Sequence, residues 1–327
     1  MKRFLFTGGA GFIGSHVVDC LLQQGHEAIA VDDLTTGRPE NLRSAALKEN
    51  FRFSFGDICE PGILEALCEK FQPDAIIHLA GLVSVIRADQ EPDLNFRLNL
   101  ESTQRVVEAA RKTGVSRIVF SSSAAVYGDT EDLPIVEGAE KSPINLYGSA
   151  KLLSEQLLAA HAATFDLSCV SLRFFNVYGP RQDPRSPYSG VMSIFADRFK
   201  RDLPVTVFGN GTQTRDFVSV FDVARAVAKA ASAEEISSGE YNVATGRAVR
   251  ILDILEAFQT MYPSAPSPQF ETARSGEIMH SLADPSKAAD ELGFQARVSL
   301  QYGIRSLVSG GLPETPSGPR TLLSKAG

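Results

Sequence analysis

The apolar triplet Phe4–Phe6 runs directly into Thr7-Gly8-Gly9-Ala10-Gly11-Phe12-Ile13-Gly14, and from there into a helical stretch ending near Gln24. A strand that enters a helix through so many glycines has few folded solutions. Gly8, Gly11 and Gly14 allow a tight turn and bring backbone N–H groups close to a pyrophosphate, while the helix N-terminus at Phe12 and Ile13 adds a favourable dipole. Apolar runs and helical stretches then alternate, with Ala28–Val31, Ala75–Leu79, Ser102–Lys112 and Arg117–Ser121 as the clearest segments. This rhythm predicts βαβ units in an α/β, doubly wound parallel sheet. Gly25 and Gly114 stand where the first helix and the one ending at Thr113 should stop.

From about Leu172 the rhythm becomes irregular, and Pro180, Pro184, Pro187 and Pro204 mark loops. The expected organisation is a cofactor-binding unit over residues 1–172 and a smaller, mainly substrate-binding C-terminal unit over 173–308. The two should interleave, because Asp216–Ala231 and Tyr241–Val243, within 214–245, again read as helix and sheet of the first kind. Residues 309–327, rich in Gly, Pro and Ser, are expected to form a surface tail. A net charge of −7 on 327 residues argues against nonspecific binding to nucleic acid or an anionic membrane. The four cysteines include no CxxC pair, so neither a disulfide framework nor a metal site is expected, and reduced thiols suit a cytoplasmic protein. The first apolar run is too short for a signal peptide, which needs at least about seven residues. No run approaches the roughly 20 residues of a membrane helix.

Asp32 follows the second expected strand, eighteen residues past Gly14. An acid there binds ribose hydroxyls and repels a 2′-phosphate, which favours NAD over NADP. A second cluster lies downstream. Tyr147 and Lys151 are four residues apart on one expected helix and point the same way, so the ammonium can favour the phenolate form of a phenol whose ordinary pKa is about 10. Tyr147 could then act as a general base, with Ser123 as a hydroxyl donor.

Taken together, these segments resemble the extended short-chain dehydrogenase/reductases with a Rossmann fold, and within them the nucleotide-sugar 4-epimerases of the UDP-glucose/UDP-N-acetylglucosamine type. The resemblance runs from Phe4 to about Phe294. It rests on GGAGFIG at Gly8–Gly14, VDDL at Val31–Leu34, GDI at Gly56–Ile58, HLAG at His78–Gly81, SSSAAVYG at Ser121–Gly128, YGSAK at Tyr147–Lys151, RFFNVYGP at Arg173–Pro180 and RDFVSVFDVA at Arg215–Ala224. It implies that Asp57 and Ile58 line an adenine pocket, that Leu79, Ala80 and Gly81 pass the cofactor phosphates, and that Phe175 sits against the nicotinamide. Asn99, Ser121, Tyr147 and Lys151 would also contact the cofactor. His78 reads as a packed strand-end residue.

The implied reaction has Tyr147 taking the proton of the sugar 4-hydroxyl while hydride passes from C4 to tightly held NAD. Ser123 would bond the 4-oxygen and Lys151 the nicotinamide ribose. Relatives that dehydrate nucleotide sugars carry an Asp-Glu pair just after the hydroxyl residue. Here Ala124-Ala125 stand there, which removes the proton-transfer groups for elimination. On the substrate side the resemblance implies Asn176 on the diphosphate or sugar, Arg215 and Arg274 on the phosphates, Val207 and Phe208 beside uracil, and Ser84 on the sugar. Ser281 stands where hexose-restricted relatives carry tyrosine, so a 2-acetamido group should fit. One departure is Ser102, where relatives usually have glycine.

Relatives dimerise through a four-helix bundle, for which Ser102–Lys112 and Tyr147–Ala163 are the matching helices, with Val106, Val107, Leu152, Leu153 and Leu157 as apolar residues. Three other readings stay open. A UDP-glucuronate 4-epimerase would need a cation such as Arg87 or Arg185 near the sugar carboxylate. A non-enzymatic NAD-sensing regulator would not need Tyr147, and a net oxidoreductase would accumulate NADH.

Overall fold

The computed structural model of the protein describes residues 1–184, 190–273 and 278–311. Its strands are β1 (Arg3–Thr7), β2 (Glu27–Asp32), β3 (Phe51–Phe55), β4 (Ala75–His78), β5 (Arg117–Ser123), β6 (Ser168–Phe174), β7 (Asn176–Tyr178), β8 (Thr206–Phe208), β9 (Thr214–Ser219), β10 (Gly239–Val243), β11 (Ala248–Arg250) and β12 (Gln269–Glu271). Seven of them form one sheet in the order β10-β6-β5-β4-β1-β2-β3, every pair parallel. The expected α/β doubly wound sheet is therefore present. β1 and β4 are buried almost end to end, as parallel strands covered by helices on both faces must be.

Alternation along β1 divides the core. Phe4 and Phe6 face the cluster containing Val17, Leu21, Val223 and Val227, whereas Leu5 faces the opposite cluster with Ile76, Val106, Val107 and Phe120. The helices Phe12–Gln23 and Val220–Ser232 thus cover the same face, although some two hundred residues separate them in sequence. Strand order reverses between β1 and β4, and the crevice at the carboxyl ends of such a pair is where α/β sheets bind ligands.

The remaining strands form a three-stranded sheet, β11-β9-β7, and a pair, β12-β8. These surround an aromatic core in which the Phe199 and Phe258 rings stack with centroids 5.4 Å apart. Several bounds differ from the sequence reading. β5 continues to Ser123 because Ser121, Ser122 and Ser123 pair with Leu172, Arg173 and Phe174 on β6. The helix Ser102–Thr113 is preceded by a π-helical turn, Phe96–Glu101. Ser102 sits at this junction, and its hydroxyl donates to the Leu98 carbonyl at 2.7 Å, a local bond that glycine could not make. The last helix, Leu300–Ser309, stops at Gly310 with φ +78°, and the rest of the expected tail, from 312 on, lies outside the described residues. Among the described residues no helix is long and apolar enough to cross a membrane.

Candidate active site

The glycine turn is built by close backbone approach. Gly8 has φ +71° and donates its N–H to the Val31 carbonyl at 2.9 Å. A Cβ on Gly8 would lie 2.6 Å from the Ala80 nitrogen, and one on Gly14 would lie 2.2 Å from the Gly8 carbonyl oxygen. Gly11 is the N-cap of the helix Phe12–Gln23 and offers no side-chain cap, so the first N–H groups, at Phe12, Ile13 and Gly14, remain open to an anion. Asp32 ends β2. Its carboxylate accepts from the N–H groups of Ala10 and Leu34, each at 2.9 Å, and thereby ties the turn to the second strand. Burial raises the Asp32 pKa, against those two bonds. Ile58 is buried. Burial alone would raise the Asp57 carboxyl, but the Cys59 N–H and the Arg97 guanidinium outweigh it and leave the group below the usual carboxylate range.

Ser123 and Tyr147 meet because of a third residue. Asn145 caps the helix Leu146–Thr164 by accepting from the Gly148 N–H at 2.8 Å. A Cβ on Gly148 would stand 2.6 Å from the Ala125 carbonyl oxygen, so only glycine lets this helix start press against the turn that follows Ser123. The Ser123 hydroxyl accepts from the Ala125 N–H at 3.2 Å and lies beside the Tyr147 phenol, close enough to favour its charged form. The Lys151 ammonium donates to the Ser121 carbonyl at 3.0 Å, lies 4.8 Å from the Phe120 ring centroid and 5.9 Å from that of Tyr147. Burial pulls Lys151 down to about 8, opposed by Glu155, and burial pushes the Tyr147 phenol up, opposed by Ser123. The sequence expectation that the lysine lowers the phenol thus meets a conflict. Desolvation works against the charged form of both groups.

Asn99, on the π-helical turn, was expected at the cofactor. Its amide nitrogen donates to the Leu82 carbonyl at 3.1 Å and to Asn95 Oδ1 at 2.8 Å, while its buried Oδ1 has no partner among the described residues. A Cβ on Gly81 would lie 2.6 Å from that oxygen and 3.5 Å from Lys151 Nζ. Gly81, Asn99 and Lys151 therefore surround one space, with an orphaned acceptor aimed into it, which fits a ribose hydroxyl. Asn95, which the sequence reading missed, donates to the Leu146 carbonyl at 3.0 Å and joins this turn to the helix Leu146–Thr164.

On the other side, Asn176 and Arg215 line a cleft of about 260 Å³ together with Gln182, Met192, Phe217 and Ile251. Arg215 donates to the Thr214 carbonyl at 2.8 Å, and the Ser281 N–H donates to the same carbonyl at 3.2 Å. Val207 is buried in the aromatic core, and the Phe208 carbonyl accepts from Gln213. Ser84 is the N-cap of the helix Val85–Gln90, accepting from the Arg87 N–H at 2.9 Å. Phe175 is buried beside Tyr127 with ring centroids 6.4 Å apart. Arg87 pairs with Glu91 at 2.7 Å. Arg274 and Arg185 lie outside the described residues. Among the described residues no group of three or more His, Cys, Asp or Glu side chains is placed to hold a metal ion.

His78 is fully buried, with Thr7 Oγ1 at 2.7 Å from Nδ1 and Thr103 Oγ1 at 3.2 Å from Nε2. Burial, then the Lys151 charge, lowers its pKa to about 3, and burial lowers His16 to about 4. Both are neutral in the folded protein, whereas the unfolded chain protonates them below 6.5, so stability falls as pH drops through that value. At pH 5.5 the loss is about 3 kcal/mol for the two together. Thermal unfolding should show Tm about 4 °C lower at pH 5.5 than at 7.5. Replacing His78 with Gln should remove about half of that slope; an unchanged slope in the variant would refute the assignment.

The sheet reversal and the open helix N-terminus are those of a dinucleotide-binding α/β protein, and Ser123, Tyr147 and Lys151 gather at the end of β5. The profile of the NAD dependent epimerase/dehydratase family matches residues 4–244, and the chain belongs to this family. It is 37% identical over 308 residues to the UDP-glucose 4-epimerase of Mycolicibacterium smegmatis, covering 94% of this chain and 97% of that one. Among solved structures it is similar to a UDP-glucose 4-epimerase of Thermotoga maritima with UDP-glucose, at 34% identity and TM-score 0.88, covering 94% of this chain and 98% of that one. It is similar too to a UDP-N-acetylglucosamine 4-epimerase of Methanobrevibacter ruminantium in complex with UDP-N-acetylmuramic acid, at 32% identity and TM-score 0.89, covering 94% and 97%.

Proposed function

We propose that the protein is an NAD-dependent UDP-hexose 4-epimerase, an isomerase that inverts the C4 hydroxyl through a transient 4-keto sugar. The observation that carries this reading is the gathering of Ser123, Tyr147 and Lys151 at the end of β5, where Lys151 donates to the Ser121 carbonyl one turn along the helix from Tyr147, with no carboxylate at Ala124-Ala125. NAD, when bound, supplies reversible hydride storage at C4. The Tyr147 phenolate takes the 4-hydroxyl proton, the phenol so formed returns it, and Ser123 holds the same oxygen by a hydrogen bond. Gly8, Gly11 and the N–H groups to Gly14 receive the cofactor pyrophosphate, Asp32 faces its adenosine ribose, Asp57 and Ile58 the adenine, Leu79 to Gly81 the phosphates, and Asn99, Ser121 and Lys151 the nicotinamide ribose. The residues present fit the group: the orphaned Asn99 oxygen beside Gly81 needs a donor of just this kind.

Arg215 and Asn176 hold the diphosphate from the cleft, the planar guanidinium bonding two oxygens at once, and Arg274, the second arginine expected on the phosphates, lies outside the described residues. Val207 and Phe208 border uracil, and Ser84 and Ser281 border the sugar. Residues 1–172 with the 214–245 return make the cofactor unit, and 173–308 the substrate unit. Serine at 281 leaves space for a 2-acetamido group without adding an attraction for it, so both UDP-N-acetylglucosamine and UDP-glucose should turn over. Incubation of the purified protein with each sugar, without added NAD, tests this by NMR of the 4-epimers. Turnover of UDP-glucose alone would sink the argument from Ser281, and turnover of neither, even with NAD added, would sink the epimerase reading. UDP-glucuronate belongs in the same panel, although Arg87 already spends its guanidinium on Glu91.

The reading extends to a cytoplasmic homodimer. Val106 and Val107 are consumed by the core of the single chain, but Leu153 on the second proposed bundle helix is 47% exposed, and Phe96, in the π-helical turn before the first, is 57% exposed. A Leu153→Glu variant should run as a monomer at micromolar concentration in light scattering, because a buried unpaired carboxylate costs several kcal/mol. A dimer of unchanged stability would exclude this face. The four cysteines are all unpaired, which suits a reducing compartment.

A further inference from the structure

Three side chains leave the helix Leu146–Thr164 at four-residue spacing, Tyr147, Lys151 and Glu155. The first two belong to the proposed reaction. Glu155 is 3% exposed, and its carboxylate accepts from the Ser122 hydroxyl at 2.5 Å and from Arg173 Nε and Nη2 at 2.9 and 2.6 Å. Ser122 and Arg173 are register partners on β5 and β6. Arg173 donates further to the Tyr127 hydroxyl at 2.9 Å and the Glu137 carbonyl at 3.0 Å, and the Tyr127 hydroxyl donates to Asn242 Oδ1 on β10 at 2.7 Å. A fully bonded polar network therefore crosses three strands and ends on the catalytic helix, one turn beyond the lysine.

Stability is a poor explanation for it. Apolar residues of similar volume often replace a buried ion pair at no loss, or with a gain. The position is more telling, because Ser122 lies between Ser121, whose carbonyl receives Lys151, and Ser123, which lies beside the Tyr147 phenol. We infer that Glu155 is a positioning residue of the active site: its bridge to Ser122 and Arg173 sets the helix bearing Tyr147 and Lys151 against the end of β5, and its charge keeps the Lys151 ammonium protonated for the phenol. This rests on the reading of Tyr147 as the base.

The charge argument follows from the surroundings of Lys151. Tyr147 and Glu155 face it from its own helix, His78 from β4, and Arg173 stands behind Glu155 on β6. Phe120, Ser121 and Asn99 complete the surroundings without charge. His78 is held neutral by burial. Glu155 is therefore the anionic group in this set, and it raises Lys151 against the desolvation that pulls the lysine down to about 8. Without it the ammonium would be lost closer to neutrality, and Arg173 would be left as an unpaired cation nearby.

The test compares the wild-type protein with Glu155→Gln and Ser122→Ala. The rate with UDP-glucose is followed from pH about 6 to about 9, and the side-chain carbon resonance of Lys151 is titrated in carbon-13-lysine protein, assigned with Lys151→Met. In Glu155→Gln the alkaline limb of kcat and the Lys151 midpoint should both move down by about one pH unit. The kcat at pH 8 then falls roughly fivefold, while KM stays within about twofold. Ser122→Ala keeps both charges, so kcat should fall at every pH with the limb in place. A Glu155→Gln profile that keeps the wild-type limb and midpoint overturns the proposal. If that variant does not fold, Glu155→Gln/Arg173→Met, which removes both charges, carries the same expectation and the same refutation. Should the wild-type protein epimerise no sugar, the reading of the reaction fails, while the lysine titration still decides the role of Glu155.

Discussion

Replacing Tyr147 with phenylalanine should lower kcat for a UDP-hexose by about 10²–10⁴-fold, the usual contribution of a general acid–base group. The variant keeps the ring and loses only the hydroxyl beside Ser123. The helix start is held independently, by Asn145 on Gly148 and Asn95 on Leu146, so fold and cofactor content should be preserved. The informative readout is therefore kcat per mole of bound NAD. A variant within about threefold of wild type would mean that the proton leaves by another route, and the regulatory reading would gain ground. A variant that had lost its NAD would instead place Tyr147 in cofactor retention.

The second large effect concerns backbone alone. Gly8→Ala should cost roughly 3–5 kcal/mol and abolish NAD binding, because two penalties coincide. A residue with a side chain pays about 1–2 kcal/mol at φ +71°, and the added carbon would lie 2.6–2.9 Å from the backbone of Leu79 and Ala80, which cannot turn aside. Gly25→Ala is the matched control. Gly25 has φ +81° but nothing within 4 Å of its added carbon, so only the conformational cost of about 1–2 kcal/mol should appear, with NAD affinity unchanged. Equal losses in the two variants, by thermal unfolding and NAD titration, would show that close approach at Gly8 contributes nothing.

The α/β class was legible for local reasons. Phe4–Phe6 before a glycine turn, and apolar runs alternating with helical ones, are patterns within some thirty residues, and parallel strands need such runs to be covered on both faces. Tyr147 and Lys151 were legible as neighbours because four-residue spacing on a helix puts them together whatever the rest of the chain does. The end of β5 was misjudged by two residues, since Ser122 and Ser123 are strand only through pairing with Arg173 and Phe174. Glu155 carried one local signal, its place four residues after Lys151. Arg173, eighteen residues further on, carried none, because the two meet only where β6 lies beside the helix.

By itself the sequence determined the glycine turn, the helix that opens from it and the row of side chains on the catalytic helix, all of them consequences of φ, spacing and apolar period. Only the tertiary structure decided which of those side chains would share a space and in what protonation state. Ser123 reaches Tyr147 because Gly148 allows the helix to press on the Ala125 carbonyl, and Asn99 turns an unpartnered oxygen toward Lys151 from a π-helical turn. Burial then sets the lysine near 8 and lifts the phenol, and desolvation of this kind depends on every element packed around a group, so no short stretch of residues encodes it.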